Sequence, residues 1–226
     1  MNVKEIKDSK FLKNMKKDEL ELLASDIRRF LLENISKTGG HLSSNLGSVE
    51  LIIALHKVFD SPTDKIFFDV SHQTYAHKIL TGRNFDENTL RKMDGISGFS
   101  KRSESPHDAF EAGHSSTSIS SALAMSYVKD LDDTVGEIIA VIGDASITNG
   151  LAMEALNYLA TEYNRKVIII INDNDMSVSK NVGALAETFN KIRINRKHRI
   201  SPKILKNFFF RRQKFTNDLT CGVRVL

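Results

Sequence analysis

The chain has 226 residues, of which 41% are apolar and 27% charged, a composition typical of a globular protein with one sizeable domain or two small ones. It contains no run of 18 apolar residues and no apolar N-terminal segment of the secretory type, so we expect neither a transmembrane helix nor export. A single cysteine, Cys221, excludes an internal disulfide framework and a cysteine-based zinc site, and a cytoplasmic location fits all of these features.

The net charge of +4 is unevenly distributed along the chain. Residues 191–226 contain eleven Lys/Arg and one acidic residue, whereas the other 190 residues together carry a net charge of −6. We therefore expect a folded domain over residues 1–190, followed by a basic tail or truncated linker over 191–226. A basic tail can bind nucleic acid or a membrane surface. No regular basic stripe or RNA-binding signature favours that function, so a solvated linker is the simpler interpretation and nucleic-acid binding is not expected.

The N-terminal half of the chain predicts helices around one short buried strand. Apolar periodicity or a small-residue helical pattern predicts helices over residues 18–36, 46–59 and 115–130. Asp18 is the expected N-cap of the first helix. The apolar run 65–70 (KIFFDV) is typical of a buried strand. Residues 81–113 have little periodicity and predict loops.

The segment from residue 137 to residue 173 gives the clearest pattern. Two apolar runs, 137–142 (EIIAVI) and 166–171 (KVIIII), predict strands on either side of a helix over 151–161. Two consecutive strands joined by a helix form a βαβ unit with parallel strands. Fully apolar strands indicate a sheet covered on both faces, so the sequence predicts an α/β fold with a parallel sheet and helices on both sides.

Polar residues follow both strands of this predicted unit. Asp144 comes directly after the first strand and Asn174 directly after the second. The carboxyl ends of parallel strands share one edge of a sheet, where open α/β folds bind their ligands. Carboxylate and amide oxygens suit Mg²⁺, and the turn from Gly143 to Gly150 leads into a helix N-terminus that favours a phosphate. The alternative is that Asp144 only caps the following helix and Asn174 only forms an Asx turn.

Longer strings in the chain resemble the 1-deoxy-D-xylulose-5-phosphate synthase family of the transketolase superfamily. A Gly-Asp pair followed about thirty residues later by an asparagine at a strand end is similar to the thiamine-diphosphate motif of that superfamily. The strings that resemble the family are 39–42 (GGHL), 44–47 (SNLG), 69–73 (DVSHQ), 77–83 (HKILTGR), 113–118 (GHSSTS), 172–177 (NDNDMS) and 181–185 (NVGAL). The resemblance covers roughly residues 10–190 and implies the thiamine-diphosphate-binding fold of the transketolase PP domain, here incomplete.

The resemblance also implies thiamine diphosphate and Mg²⁺ as cofactors and assigns roles to matching residues. Mg²⁺ would be bound by the side chains of Asp144 and Asn174 and by the backbone carbonyl of Met176. The other cofactor contacts would come from Asn174 and from residues in three loops. The first loop contains His72, the second Gly113, His114 and Ser115, and the third Ala145 and Ser146. His41 would lie near the reacting carbon as a hydrogen-bond donor or proton shuttle, a task that suits a side chain with a pKa of ~6.5.

Two departures from the family pattern affect these expectations. Ala145 stands where the family motif has glycine, so we expect its methyl group to crowd the pyrophosphate or to forbid a positive φ that glycine would accept. The family's second domain supplies a glutamate to the cofactor's aminopyrimidine and cations to the substrate phosphate, and the chain has no counterpart of either. The stretch after about residue 190, which ends in residues 220–226 (TCGVRVL), resembles no known pattern, as expected if a frameshifted or truncated gene encodes it.

Three functions remain open from the sequence. In the first, the chain is half of an enzyme that condenses pyruvate with glyceraldehyde 3-phosphate for isoprenoid and thiamine precursor synthesis, completed by a separately encoded pyrimidine-binding chain. In the second, it is an inactive remnant that at most binds Mg²⁺-diphosphate. In the third, which we disfavour, it is a regulatory module whose basic tail is the functional part. An apolar surface that faces the absent half predicts a homo-oligomer.

Overall fold

The computed structural model describes residues 2–162 and 164–172, and its centre is a three-stranded parallel sheet. The strands β1 (Lys65–Phe68), β2 (Ile138–Gly143) and β3 (Ile168–Asn172) are arranged in the order β1-β2-β3. The central strand β2 is buried along its apolar residues, as expected for a parallel strand covered on both faces. Strand β3 is half-buried along its whole length. The predicted α/β class with a parallel sheet is confirmed.

Helices pack on both faces of the sheet and form two cores. The helices in the described ranges are α1 (Lys17–Thr38), α2 (Leu42–Leu46), α3 (Val49–Val58), α4 (Tyr75–Leu80), α5 (Ser118–Val128) and α6 (Gly150–Leu159). Side chains alternate along β2, so Ile139 and Val141 join the core with α1, α3 and α4, whereas Ala140 and Ile142 face α5 and α6. None of the helices described is long and apolar enough to cross a membrane.

Helix α1 begins earlier than the sequence indicated. The expected N-cap, Asp18, lies inside the first turn, and the cap is Lys16. The backbone N–H of Lys16 donates to the carboxylate of Glu19 at 2.6 Å, which fixes the start of the helix at this residue. Asp18 lies in the first turn, where its negative charge complements the positive end of the helix dipole.

The helix predicted over residues 46–59 is instead divided at Gly47 and Ser48 into α2 and α3. The Ser48 hydroxyl donates to the carbonyl oxygens of Asn45 and Gln73, both at 3.1 Å. This side chain therefore links the break to the segment that follows β1. The interruption brings the end of α2 against the turn that carries a candidate site residue, His72.

Candidate functional site

The carboxyl ends of the central strands meet as the sequence predicted. Gly143 of β2 pairs with Asn172 of β3, and the backbone N–H of Asp144 donates to the carbonyl of Asn172 at 3.2 Å. Asp144 is half-buried at this edge. The other two residues predicted to bind Mg²⁺, Asn174 and Met176, lie outside the residues that the structure describes. Within those residues, no group of three or more His, Cys, Asp or Glu side chains could hold a metal ion.

The turn after β2 corrects one expectation about Ala145. This residue adopts φ −70° and ψ −41°, a conformation open to any L-residue, so the position needs no positive φ. Its side chain is exposed. Ser146 then starts a short 3-10 turn, and the side chain of Asn149 accepts from the Leu151 N–H at 2.9 Å. The residue that caps α6 is therefore Asn149 and not Asp144.

Three predicted site histidines lie side by side, although they come from distant parts of the chain. The ring centroids of His41 and His72 are 5.3 Å apart in an edge arrangement, and those of His72 and His114 are 5.8 Å apart and stacked. Phe99 closes the group, with centroids 5.5 Å from His41 and 6.2 Å from His114. We call these four residues the histidine cluster.

A strained turn presents His72 at the carboxyl end of β1. The two residues before it, Val70 and Ser71, have φ values of 57° and 66°. A positive φ is costly for a β-branched residue, and such conformations concentrate at functional sites. The turn is held by the buried Asp69, whose N–H extends the sheet pairing to Val141 and whose carboxylate accepts from the Ser118 N–H at 3.3 Å. The start of α5, four residues after His114, is thereby tied to the His72 turn.

The buried side chain of Asn45 joins the segments of two site histidines. Its amide nitrogen donates to the carbonyl oxygens of His41 at 2.7 Å and His72 at 2.8 Å. Its amide oxygen accepts from the Tyr75 N–H at 2.8 Å. Three of the hydrogen-bonding positions of one side chain are therefore used to hold α2 against the start of α4. The spacing between His41 and His72 depends on this residue.

The environment of the cluster keeps His41 and His72 neutral near pH 7. Burial lowers the pKa of His72 to about 4, with smaller contributions from His41 and His114. Burial also lowers the pKa of His41, assisted by the positive charge of Arg91 and by His114. A neutral imidazole has one nitrogen that accepts and one that donates a hydrogen bond, so both rings can bind a polar ligand without adding charge.

The cluster has unused hydrogen-bonding capacity and open space beside it. The Nδ1 atoms of His41 and His72 are buried and have no hydrogen-bond partner within the described part of the chain. A buried polar atom without a partner costs about 1–3 kcal/mol, which a bound ligand would recover. Among the described residues, a methyl group added at Gly113 or at Gly143, the last residue of β2, would meet no atom within 4 Å, so these residues crowd neither position. Gly113, His114 and Ser115 are exposed there. These features fit a polar ligand at the carboxyl edge.

Sequence reasoning missed three residues that shape this region. Phe99 belongs to the stretch that predicted only loops, and nothing in its local pattern marks it as part of a site. Asn45 was inside a string that resembles the family, but it received no role. Arg91 has a φ of 57° and is exposed, and its charge contributes to the lowered pKa of His41. Only proximity in the fold connects these residues to the histidines.

Comparison with known proteins identifies the family. The family profile described as 1-deoxy-D-xylulose-5-phosphate synthase matches residues 3–221. The chain belongs to the 1-deoxy-D-xylulose-5-phosphate synthase family. A 1-deoxy-D-xylulose-5-phosphate synthase of Geobacillus sp. (strain WCH70) is 54% identical over 193 residues, which are 85% of this chain and 30% of that protein. The enzyme of the same name from Shouchella clausii (strain KSM-K16) is 53% identical over 193 residues, 85% of this chain and 31% of the relative.

The family match includes every candidate site residue from His41 to Met176 and continues beyond residue 190 into the basic segment. The chain spans about 30% of the length of the curated relatives it matches. The resemblance seen in the sequence strings is therefore confirmed as membership of the 1-deoxy-D-xylulose-5-phosphate synthase family. The α/β fold with a parallel sheet is the architecture expected of its N-terminal part.

Proposed function

We propose that this chain is the diphosphate-binding part of a 1-deoxy-D-xylulose-5-phosphate synthase and that it binds thiamine diphosphate with Mg²⁺ at the carboxyl edge of its sheet. The observation that carries the proposal is the histidine cluster. Two of its rings have buried Nδ1 atoms without partners, and His72 lies at the end of a strand that neighbours the strand before Asp144. Such an edge is where open α/β sheets bind phosphorylated cofactors.

The residues divide into a diphosphate end and a thiamine end. At the first, the carboxylate of Asp144, the side chain of Asn174 and the carbonyl of Met176 would bind Mg²⁺, and the backbone of Ala145 and Ser146 would approach the diphosphate. Hard oxygen donors of this kind suit Mg²⁺, which also keeps phosphate oxygens in its coordination sphere. The observed φ of Ala145 supports the proposal, because its N–H is offered from an unstrained backbone.

At the other end of the proposed site, His72, His114 and the backbone around Gly113 and Ser115 would contact the thiamine part. When bound, thiamine diphosphate supplies the electron sink for decarboxylation. The chain's own contribution is to orient it and to move protons. His41 is neutral, so its ring can accept a proton at one nitrogen and donate at the other near the reacting carbon.

The substrates we propose are pyruvate and glyceraldehyde 3-phosphate, condensed for isoprenoid and thiamine precursor synthesis in the cytoplasm. The relatives that carry the synthase name are about three times as long as the matched segment. We therefore propose that activity requires a further polypeptide, such as a separately encoded pyrimidine-binding chain. Purified chain alone is expected to show no turnover of pyruvate with glyceraldehyde 3-phosphate, and measurable turnover would contradict this requirement.

Association of the chain with a second copy is also proposed. Apolar side chains are exposed on neighbouring parts of α5 and α6, where the hydroxyls of Tyr127 and Tyr158 lie 3.5 Å apart. Leu131, just beyond α5, is 89% exposed. Exposed apolar residues grouped in this way favour a protein–protein contact. Light scattering after gel filtration should give a mass above that of one chain, and a monomer at micromolar concentration would contradict the proposal.

Thermal unfolding tests cofactor binding directly. A ligand that binds only the folded state stabilises it by RT ln(1 + [L]/Kd) and so raises the unfolding temperature. Thiamine diphosphate with Mg²⁺ should raise the unfolding temperature, whereas thiamine without phosphate, or the diphosphate with EDTA, should have little effect. An unchanged unfolding temperature with the complete cofactor would show that the chain is a remnant without a functional site.

A further inference from the structure

Two carboxylates outside the proposed cofactor site, Glu104 and Asp108, each bind a buried cation and a loop backbone at the same time. One oxygen of Glu104 accepts from the ammonium of Lys78 at 2.6 Å, and the other accepts from the Ser97 N–H at 2.6 Å. Asp108 binds the guanidinium of Arg83 through both oxygens and also accepts from the Lys101 N–H at 2.6 Å. The loop is therefore fastened at residues 97 and 101.

The two cations lie in and just after the buried helix α4. Every residue of α4 is buried, and the side chain of Lys78 is fully inaccessible. His77, also on α4, hydrogen bonds to Asp108 at 3.0 Å. Lysine and arginine side chains are costly to bury unless they are paired, so the two carboxylates must remain in place for α4 to pack. The loop is therefore attached to the buried helix α4 through these carboxylates.

The loop between the two fastened positions carries Phe99 into the histidine cluster. Between them, the Ser100 N–H donates to the hydroxyl of Ser71 at 3.0 Å, next to His72. The ring of Phe99 then contacts His41 and His114, with centroids 5.5 Å and 6.2 Å away. The side chain that completes the cluster is therefore held on both sides by backbone hydrogen bonds to Glu104 and Asp108.

We propose that Glu104 and Asp108 are positioning residues that fix Phe99 as the aromatic wall of the histidine cluster. Neither carboxylate touches the site itself, and each acts through the loop from residue 97 to residue 101. Phe99 excludes water from His41 and limits how far the rings of His41 and His114 can separate. The consequence for cofactor affinity rests on the proposed function, whereas the arrangement of the rings in the free chain does not.

The ring resonances of the histidines, measured by NMR in the free chain, test the positioning role. Glu104→Gln removes the charge that pairs with Lys78, so the loop loosens and the ring signals of His41 and His114 should shift. Glu21→Gln is the matched control, because Glu21 lies on α1 and its ion pair with Lys17 is exposed. The control should leave both signals unchanged.

A double-mutant cycle tests whether the effect passes through Phe99. Phe99→Ala should raise the pKa of His41 toward that of an exposed histidine, because water enters the cluster. In that background, Glu104→Gln should shift His41 and His114 no further, since coupled residues are not additive. If Glu104→Gln alone fails to fold, Glu104→Asp keeps the charge but is too short to reach both partners, and the same shifts are expected. Unchanged His41 and His114 signals, or an undiminished effect in the Phe99→Ala background, would overturn the proposal.

Cofactor binding separates this inference from the proposed function. Loss of one loop hydrogen bond should weaken the binding of thiamine diphosphate with Mg²⁺ by about two- to tenfold. Absence of binding by the unmodified chain would refute the proposed function, and the ring shifts would still decide whether the carboxylates position Phe99. Equal affinity of Glu104→Gln and the unmodified chain would overturn the positioning role even where the unmodified chain binds the cofactor.

Discussion

Asn45 and His72 lie 27 residues apart in the chain, yet the amide of Asn45 donates a 2.8 Å hydrogen bond to the carbonyl oxygen of His72. The same amide group donates to His41, so one buried side chain sets the separation of two site histidines. Replacement by alanine would leave the His72 carbonyl oxygen and the Tyr75 N–H without this partner, whereas the His41 carbonyl still accepts from the backbone N–H of residue 45 and from the Ser44 hydroxyl, both at 3.3 Å. Each unsatisfied buried group costs about 1–3 kcal/mol, so Asn45→Ala should lower the free energy of unfolding by about 2 kcal/mol or more.

Urea unfolding measures this loss, and Asn88→Ala is the matched control. The side chain of Asn88 is exposed, so its removal should change the free energy of unfolding by less than about 0.5 kcal/mol. Equal stability of the two variants would contradict the role given to Asn45.

The histidines make the stability of the chain dependent on pH. Burial lowers the pKa of His72 and of His107 to about 4, and it also lowers the pKa of His41, His56 and His77. Below their ordinary pKa of ~6.5 these groups bind protons in the unfolded chain but not in the folded one. The free energy of unfolding should therefore fall as pH decreases from about 6.5 toward 4, and it should change little between pH 7 and 8.

A single substitution checks the assignment of this pH dependence. His107→Gln preserves a partner for the hydroxyl of Ser61, which lies 3.0 Å from the His107 ring. The His107→Gln substitution removes one titrating group. The slope of the free energy of unfolding against pH should therefore decrease by at most about 1.4 kcal/mol per pH unit. Urea unfolding at several pH values gives both slopes, and a stability that rises on acidification would refute the account.

The buried pair of Arg83 and Asp108 should be among the most sensitive positions. Both side chains are nearly inaccessible, at 7% and 0% exposure. Burial alone would raise the pKa of Asp108, but its hydrogen bonds to His77 and Arg83 together lower it. Asp108→Asn would remove the carboxylate that binds the buried guanidinium through both oxygens and leave only its longer 3.5 Å contact with Glu104, which should cost about 3 kcal/mol. The exposed pair of Lys17 and Glu21 offers a comparison, since Glu21→Gln should cost less than about 0.5 kcal/mol. If urea unfolding gave similar losses in the free energy of unfolding for Asp108→Asn and Glu21→Gln, the result would contradict the role of the buried network.

Restoring the family glycine at position 145 should bring no benefit. Ala145 has a negative φ, so Ala145→Gly relieves no strain and only increases the freedom of the unfolded chain. We expect a loss of about 0.4–1 kcal/mol in the free energy of unfolding and an affinity for thiamine diphosphate with Mg²⁺ that is unchanged within about twofold. A large gain in affinity would show that the methyl group does crowd the diphosphate.

The sheet could be predicted from the sequence because its determinants are local. Apolar runs at residues 137–142 and 166–171 were enough to predict two parallel strands, and Gly143 pairs with Asn172 as that interpretation required. The break between α2 and α3 was missed because the hydrogen bonds that cause it reach Gln73, which is distant in sequence. Local periodicity contains no information about such partners.

The candidate site was only partly predictable for the same reason. The residues themselves were identified by resemblance, and the fold then placed His41, His72 and His114 together. Lys78 and Glu104 resemble ordinary surface charges in the sequence, yet they form a buried pair across 26 positions. Charges usually indicate solvent exposure, and only the three-dimensional arrangement shows which of them are paired inside.

The most direct test of the account is a calorimetric titration of the chain with thiamine diphosphate in the presence and absence of Mg²⁺. We predict saturable binding that requires Mg²⁺, that is lost in Asp144→Asn, and that is retained in Asp133→Asn, an exposed aspartate outside the site. Absence of binding, or binding that neither Mg²⁺ nor Asp144→Asn alters, would contradict the proposal that the carboxyl edge of this sheet is a thiamine-diphosphate site.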